Sequence, residues 1–102
     1  MISWIEQWYS SQCDGQWEHV YGIKVFTLDN PGWSVVIDLT DTEIETLEHG
    51  WTIEEKSETD WIGYSITDKA FKGSGDPKKL GEIFKLFRDI WEANIKKRMI
   101  DK

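Results

Sequence analysis

A stripe of apolar residues near the end of the chain constrains its fold more than any other feature. Its members recur at helical spacing over roughly four turns: Leu80, Ile83, Phe84, Phe87, Ile90, Trp91 and Ile95. A helix with one apolar face must bury that face against another layer of structure. Asp76 and Pro77 precede the stripe and predict its start, with Asp76 as the N-cap and Pro77 as the first helical residue.

The preceding segments predict the layer on which this helix packs. Apolar and polar residues alternate at 33–39 and again at 61–67, and a weaker strand is predicted at 51–55. β-Branched and aromatic residues from Trp17 to Leu28 predict another strand, joined to 33–39 by a turn. Pro31 and Gly32 are expected at the centre of that turn, with Gly32 at positive φ. The Gly-Ser-Gly stretch at 73–75 is interpreted as a linker.

At the other end of the chain, residues 4–12 show a short amphipathic helical pattern. Ser3 and Glu6 form a capping-box pattern at its start, and Asp14 with Gly15 is expected to end it. The sequence therefore predicts an α+β fold: a short N-terminal helix, an antiparallel sheet of about four strands, and a long C-terminal helix packed on the sheet. A chain of 102 residues is expected to form one domain, spanning residues 1–102.

The charge is divided along the chain. Residues 1–68 hold 14 acidic residues against two lysines, a net of -12, whereas residues 69–102 hold ten basic residues against five acidic ones, a net of +5. This two-sided charge argues against nucleic-acid binding and favours either a basic partner or a self-complementary packing of the two halves of the chain. A lone cysteine, no signal-like N-terminus and no long apolar run predict a cytoplasmic protein without membrane association.

The stretch CDGQWEH at 13–19 gathers the residue types from which catalytic or metal sites are made. Cys13 and His19 do not match a familiar arrangement of nucleophile and base. Cys13 also follows the predicted helix, whereas reactive cysteines commonly lie at a helix N-terminus. The cysteine and the two histidines do not match zinc-ligand spacing. Cys13 is therefore expected to be a buried structural thiol, and no catalytic residue, metal or cofactor is predicted.

Several short motifs in the chain together carry a family resemblance. They are Cys13-Asp14-Gly15, Trp17-Glu18-His19, Tyr21-Gly22-Ile23, the run from Thr27 to Trp33, Ile37-Asp38-Leu39, Asp60-Trp61, and Phe71 with Gly73 and Gly75. With them the chain resembles the immunity 53 family of bacterial polymorphic toxin systems. The resemblance implies a small cytoplasmic, antitoxin-like protein that binds a cognate toxin encoded nearby and has no catalytic activity of its own.

The resemblance brings no toxin-contacting residues with it, so candidates come from charge and aromatic content. Many such toxins are nucleases with basic clefts, which an acidic, aromatic-rich surface could block. The candidate toxin-binding residues are Asp14, Trp17, Glu18, Trp33, Glu43, Glu45, Glu48, Trp51, Glu54, Glu55 and Glu58. If the acidic surface is not used, the basic C-terminal helix is the alternative, with Arg88, Lys97 and Arg98.

Two other functions stay open at this point. The chain could be a homodimerising or scaffold module, or a small Cys13-dependent enzyme. As an immunity protein it is expected to be a monomer or a weak homodimer.

Overall fold

The chain folds as helices packed on one face of an antiparallel sheet. The computed structural model describes the backbone of residues 1–100 and the side chains of residues 1–97. In this range the elements are α1 (Ile2–Gln12), α2 (Trp17–Val20), β1 (Ile23–Leu28), β2 (Gly32–Asp38), β3 (His49–Ser57), β4 (Asp60–Thr67), β5 (Ala70–Gly75) and α3 (Leu80–Ile100). The strands are ordered β1-β2-β5-β4-β3. The predicted α+β class is confirmed, with five strands in the described range instead of about four.

The core lies between the helices and the face of the sheet that they cover. Ile37, Phe71 and Phe87 are fully buried. The Phe87 ring centroid lies 5.1 Å from that of Trp8 and 5.2 Å from that of Phe71, so α3 is joined both to α1 and to β5. The apolar stripe of α3 therefore faces inward as its spacing predicts. None of the described helices is long and apolar enough to cross a membrane.

The ends of α1 differ from the predicted ones. The helix begins at Ile2, and its N-cap residue Met1 makes no side-chain cap. Ser3 lies inside the helix because the Ile5 amide already donates to the Met1 carbonyl (3.2 Å), so the predicted capping box is wrong. At the other end the Cys13 amide donates to carbonyls of the last turn, and the chain leaves in an extended conformation. Gly15 has a positive φ of 94°, but it lies two residues beyond the C-cap Cys13 and its amide donates to Glu18, so it does not end the helix as predicted.

The first strand begins later than predicted, because residues 17–20 form α2 before β1 starts at Ile23. The turn that follows also differs. Gly32 pairs with Leu28 as the first residue of β2, so it does not occupy a turn position with positive φ. A Cβ on Gly32 would collide with the carbonyl oxygen of Gly75. Glycine is needed here for the close approach of β2 to β5, which the sequence interpretation missed.

The predicted linker at 73–75 is wrong, because it belongs to the central strand of the sheet. β5 pairs with β2 on one side and with β4 on the other. A Cβ on Gly73 would lie 2.6 Å from Ile83 Cγ2, so the missing side chain lets α3 sit close to the sheet. β4 and β5 are joined by Asp68 and Lys69, both at positive φ (54° and 59°), as a tight two-residue hairpin turn requires.

The long helix begins at Leu80, one turn later than predicted. Asp76, the predicted N-cap, instead holds neighbouring segments together through its side chain. Its side chain is buried and accepts hydrogen bonds from the amides of Trp61 and Lys78 (2.9 Å each). It also accepts one from Lys79 Nζ at 2.7 Å, and Lys79 bonds Asp60 at 2.8 Å. The Lys79 ammonium, with the two amides, lowers the pKa of Asp76 to about 2. Asp76 thus ties the end of β5 to β4 and to the turn that leads into α3.

Candidate functional site

The stretch at 13–19 is a corner of the fold in which both carboxylates bond backbone amides. Asp14 Oδ1 accepts hydrogen bonds from the amides of Gln16 and Trp17 (2.9 Å each). The Glu18 carboxylate accepts bonds from the amides of Asp14 and Gly15 (3.0 and 2.9 Å). The Trp17 and Gln16 amides lower the pKa of Asp14, and the amides of Glu18 itself, Asp14 and Gly15 lower that of Glu18. These two candidates therefore close the turn between α1 and α2.

Cys13 is half-buried, not buried as expected from the sequence. Its Sγ donates to the Tyr9 carbonyl at 3.3 Å, a bond back into the last turn of α1. Among the described residues, no hydrogen bond joins Cys13 to His19, and no three His, Cys, Asp or Glu side chains are grouped closely enough to hold a metal ion. The stretch therefore shows no pairing of a thiol with a base.

Two of the candidate tryptophans are built into the fold. Trp17 is only 5% exposed, and its Nε1 donates to the Thr40 carbonyl at 2.9 Å. This burial removes Trp17 from the candidate anchors. Trp33 is half-buried, and its Nε1 donates to the Pro77 carbonyl at 2.9 Å, which ties β2 to the turn before α3. Both indoles therefore have structural partners within the chain.

The acidic connection between β2 and β3 is an ordered series of turns. Ile44 is buried in the core, which pins the segment down. Glu45 accepts the Asp41 amide at 2.6 Å and lies 3.2 Å from Lys69 Nζ, so it closes a turn and reaches the β4–β5 hairpin. The Asp41 amide and then the Lys69 ammonium lower the pKa of Glu45. Glu43 and Glu48 are exposed and make no hydrogen bond or ion pair within the described residues.

The most exposed of the candidate regions is β3, at one edge of the sheet. All nine of its residues are exposed. Trp51 is 54% exposed and Ile53 is 48% exposed, large values for apolar side chains in a strand. Glu54 and Glu55 stand beside them, and Glu58 follows in the exposed turn to β4. The structure thus places Trp51 on the same edge strand as Glu54 and Glu55, with Glu58 in the turn that follows, although Glu54 faces α3 and Trp51 faces the open side of the sheet.

Trp51 is positioned by a glycine in the neighbouring strand. A Cβ on Gly63 would lie 2.6 Å from Trp51 Cζ2, so the indole lies directly over the backbone of β4. Ile62 and Tyr64 pack on the core, so Gly63 faces the side of the sheet without helices. Ile53 pairs with Gly63 and shares this open face. Ile53 and Gly63 were not predicted as site residues, although Ile53 lies two residues after Trp51 and therefore on the same side of a predicted strand.

On its other face, β3 borders a groove against α3. The groove has a volume of about 370 Å³, and its charged lining residues are Glu54, Glu82, Lys85 and Asp89. A second groove of about 560 Å³ lies beside α2 and includes Val20, which is 73% exposed. Of the alternative basic residues on α3, Arg88 is half-buried and Lys97 is exposed. The side chain of Arg98 lies outside the described residues.

Comparison with known proteins gives one family match. A family model described as immunity protein 53 matches residues 2–92, which is most of the chain. Searches of curated proteins and of solved structures gave no match.

Proposed function

The chain belongs to the immunity protein 53 family, and from this membership we propose that it binds a cognate bacterial toxin domain and neutralises it by covering the active cleft. On this proposal the protein is a non-catalytic inhibitor that works in the cytoplasm of the cell that makes it. The toxin is a protein encoded nearby, and no cofactor takes part.

The observation that carries the proposal is the exposed edge strand β3 with its apolar pair and acidic surroundings. Trp51 and Ile53 form an apolar centre, and aromatic anchors surrounded by polar residues are typical of binding hot spots. We define the β3 surface as Trp51, Ile53, Glu54, Glu55 and Glu58 on and just after the strand, together with Glu43 and Glu48 of the connection before it, which line a groove with Asn94 and Lys97 of α3. Asp14, Trp17, Glu18, Trp33 and Glu45 are left out because each has a structural partner.

The charge of this surface indicates the chemistry of the toxin. Residues 43–58 contain six glutamates against one lysine, and five of these glutamates belong to the β3 surface. Lys56 lies 3.9 Å from Glu54, and both side chains are more than two-thirds exposed, so this pair compensates little of the acidic charge. Such a surface complements a basic cleft, as in a nuclease that holds phosphates, and long-range attraction would speed capture.

The first experiment is co-purification of the chain with the toxin domain encoded beside it. Stable association, together with protection of cells that express the toxin, is the expected result. Failure to bind that domain, with the chain folded, would contradict the proposal.

The second experiment tests the role of the charge. The triple variant Glu54→Lys, Glu55→Lys, Glu58→Lys should lower the association rate at low salt by about tenfold or more and flatten its salt dependence. The matched control reverses three exposed acidic residues elsewhere: Glu6, Asp29 and Glu92. An equal loss of rate in both triples would mean that only the total charge matters, and the β3 surface would lose its assignment.

A further inference from the structure

The free side of β3 offers unpaired main-chain groups at one edge of the sheet. β3 is last in the strand order and pairs only with β4 among the described strands. In an antiparallel strand, alternate residues turn their N–H and C=O groups to opposite sides, so an edge strand presents half of them to its free side. Natural edges are commonly protected by proline, short length, β-bulges or charged side chains, and of these β3 has register shifts near its ends and the charged residues Glu54, Glu55 and Lys56. β3 has nine residues and no proline, and its regular pairing with β4 runs from Thr52 to Glu55, between register shifts at His49–Thr52 and Glu55–Ser57.

We propose that an extended, basic segment of the toxin adds to β3 as a further strand, so that recognition runs through main-chain hydrogen bonds as well as side chains. This inference rests on the proposed function and specifies how the toxin is held. The added strand would continue the sheet beyond its present edge, and its side chains would alternate between the two faces of β3.

The two faces of β3 define which side chains the added strand should carry. On the open face, Trp51 and Ile53 favour an apolar residue of the toxin segment. On the helix face, the groove against α3 holds three carboxylates, those of Glu54, Glu82 and Asp89. Lys85 and Arg88 both lie within 4 Å of Asp89, and Lys56 lies 3.9 Å from Glu54. Among the described residues, Glu82 is therefore the carboxylate of this groove that has no ion-pair partner. A lysine or arginine of the added strand is the side chain that complements this groove.

The alternative occupants fit the charges less well. A second copy of the chain carries the same net charge of -7, so pairing of two β3 strands would bring two acidic surfaces together. The other edge of the sheet, β1, has six residues, and Lys24 is its one charged residue. A basic segment is therefore attracted to β3 and not to β1.

Amide hydrogen exchange, measured residue by residue by NMR, tests main-chain pairing directly. In the free chain, alternate amides of residues 52–55 should exchange slowly because they pair with β4, and the intervening ones should exchange fast. In the complex with the neighbouring toxin domain, the fast set should slow by about tenfold or more. The amides of β1 serve as the internal control and should not change.

The outcomes separate this inference from the proposed function. Complex formation without slowing of the fast β3 amides would overturn the added strand and leave the proposed function standing. No complex at all would overturn the proposed function, and this inference with it. Slowing that appears without toxin and grows with protein concentration would show that a second copy occupies the edge, which also overturns the inference.

A pair of variants on α3 tests the basic side chain. Glu82 and Glu92 are both exposed on this helix, but only Glu82 lines the groove beside β3. Glu82→Lys should weaken toxin binding by about tenfold, whereas Glu92→Lys should leave it within about twofold. Equal effects of the two substitutions would contradict a basic residue in the groove. Thermal unfolding of both variants confirms that they are folded.

Discussion

Removal of the Trp51 side chain tests the β3 surface most directly. The indole is 54% exposed in the free chain and lies over Gly63, so it is positioned before any partner arrives. A tryptophan contributes up to ~250 Å² of surface, so ~130 Å² remains to be covered by a partner. At ~25 cal/mol per Å² this corresponds to ~3 kcal/mol. Because ordering of the contact offsets part of this, we expect Trp51→Ala to cost about 2 kcal/mol, or about 30-fold in Kd.

The measurement is the kinetics of toxin binding at low and at high salt. Loss of a desolvated contact should raise the dissociation rate and change the association rate little. Gly63→Ala is a companion variant, because the new methyl group displaces the indole while Trp51 itself is kept. It should weaken binding in the same direction as Trp51→Ala.

The matched control is Phe26→Ala. Phe26 is also an exposed aromatic residue in an edge strand, at 48% exposure, but it lies on β1 at the opposite edge of the sheet. Its removal should leave Kd within about twofold. If Trp51→Ala binds the toxin as tightly as the unaltered chain, or if Phe26→Ala weakens binding more, the assignment of the anchor to β3 is refuted.

Three further predictions concern the fold. In chemical denaturation, Phe87→Ala should lower the free energy of unfolding by about 5 kcal/mol and Phe84→Ala by about 3 kcal/mol. The larger loss is expected at Phe87 because its ring contacts rings from both α1 and β5. Equal losses would contradict the role of Phe87 in joining these elements. Cys13→Ala and Cys13→Ser should each change stability by less than about 1 kcal/mol and keep protection from the toxin, since the thiol is half-buried; loss of protection at unchanged Tm would point to a chemical role. The pKa of Asp76 is lowered to about 2, mainly by its hydrogen bond with Lys79. The ionised Asp76 therefore stabilises the fold above the pKa that it has in the unfolded chain, and this stability is lost as pH falls from about 4 to about 2. Asp76→Asn should lower Tm at pH 7 and reduce the fall of Tm in that window, and an unchanged fall would show that other carboxylates cause it.

The sequence determined the elements whose periodicity is strong. The stripe that includes Ile83 and Phe87 predicted a helix with those residues buried, and the structure confirms it. The alternation through Val35 and Ile37 likewise predicted a strand with one buried face. In both cases the signal is local, because the repeat of side chains along one element must match the repeat of its backbone. The family was also visible in the order of short motifs.

The tertiary structure decided what depends on contacts between distant parts of the chain. Gly73 resembled part of a linker because it has no side chain to reveal a strand, yet it lies in the central strand β5, where the missing side chain leaves room for Ile83 of α3. The tryptophans could not be sorted from sequence alone, since the hydrogen bond of Trp17 to Thr40 spans 23 residues. Trp51 is exposed because β3 is at the edge, and strand order is set by pairing between segments far apart in the chain. Composition could therefore indicate an acidic and aromatic surface, but only the packing of the sheet decided which aromatic side chains solvent can reach.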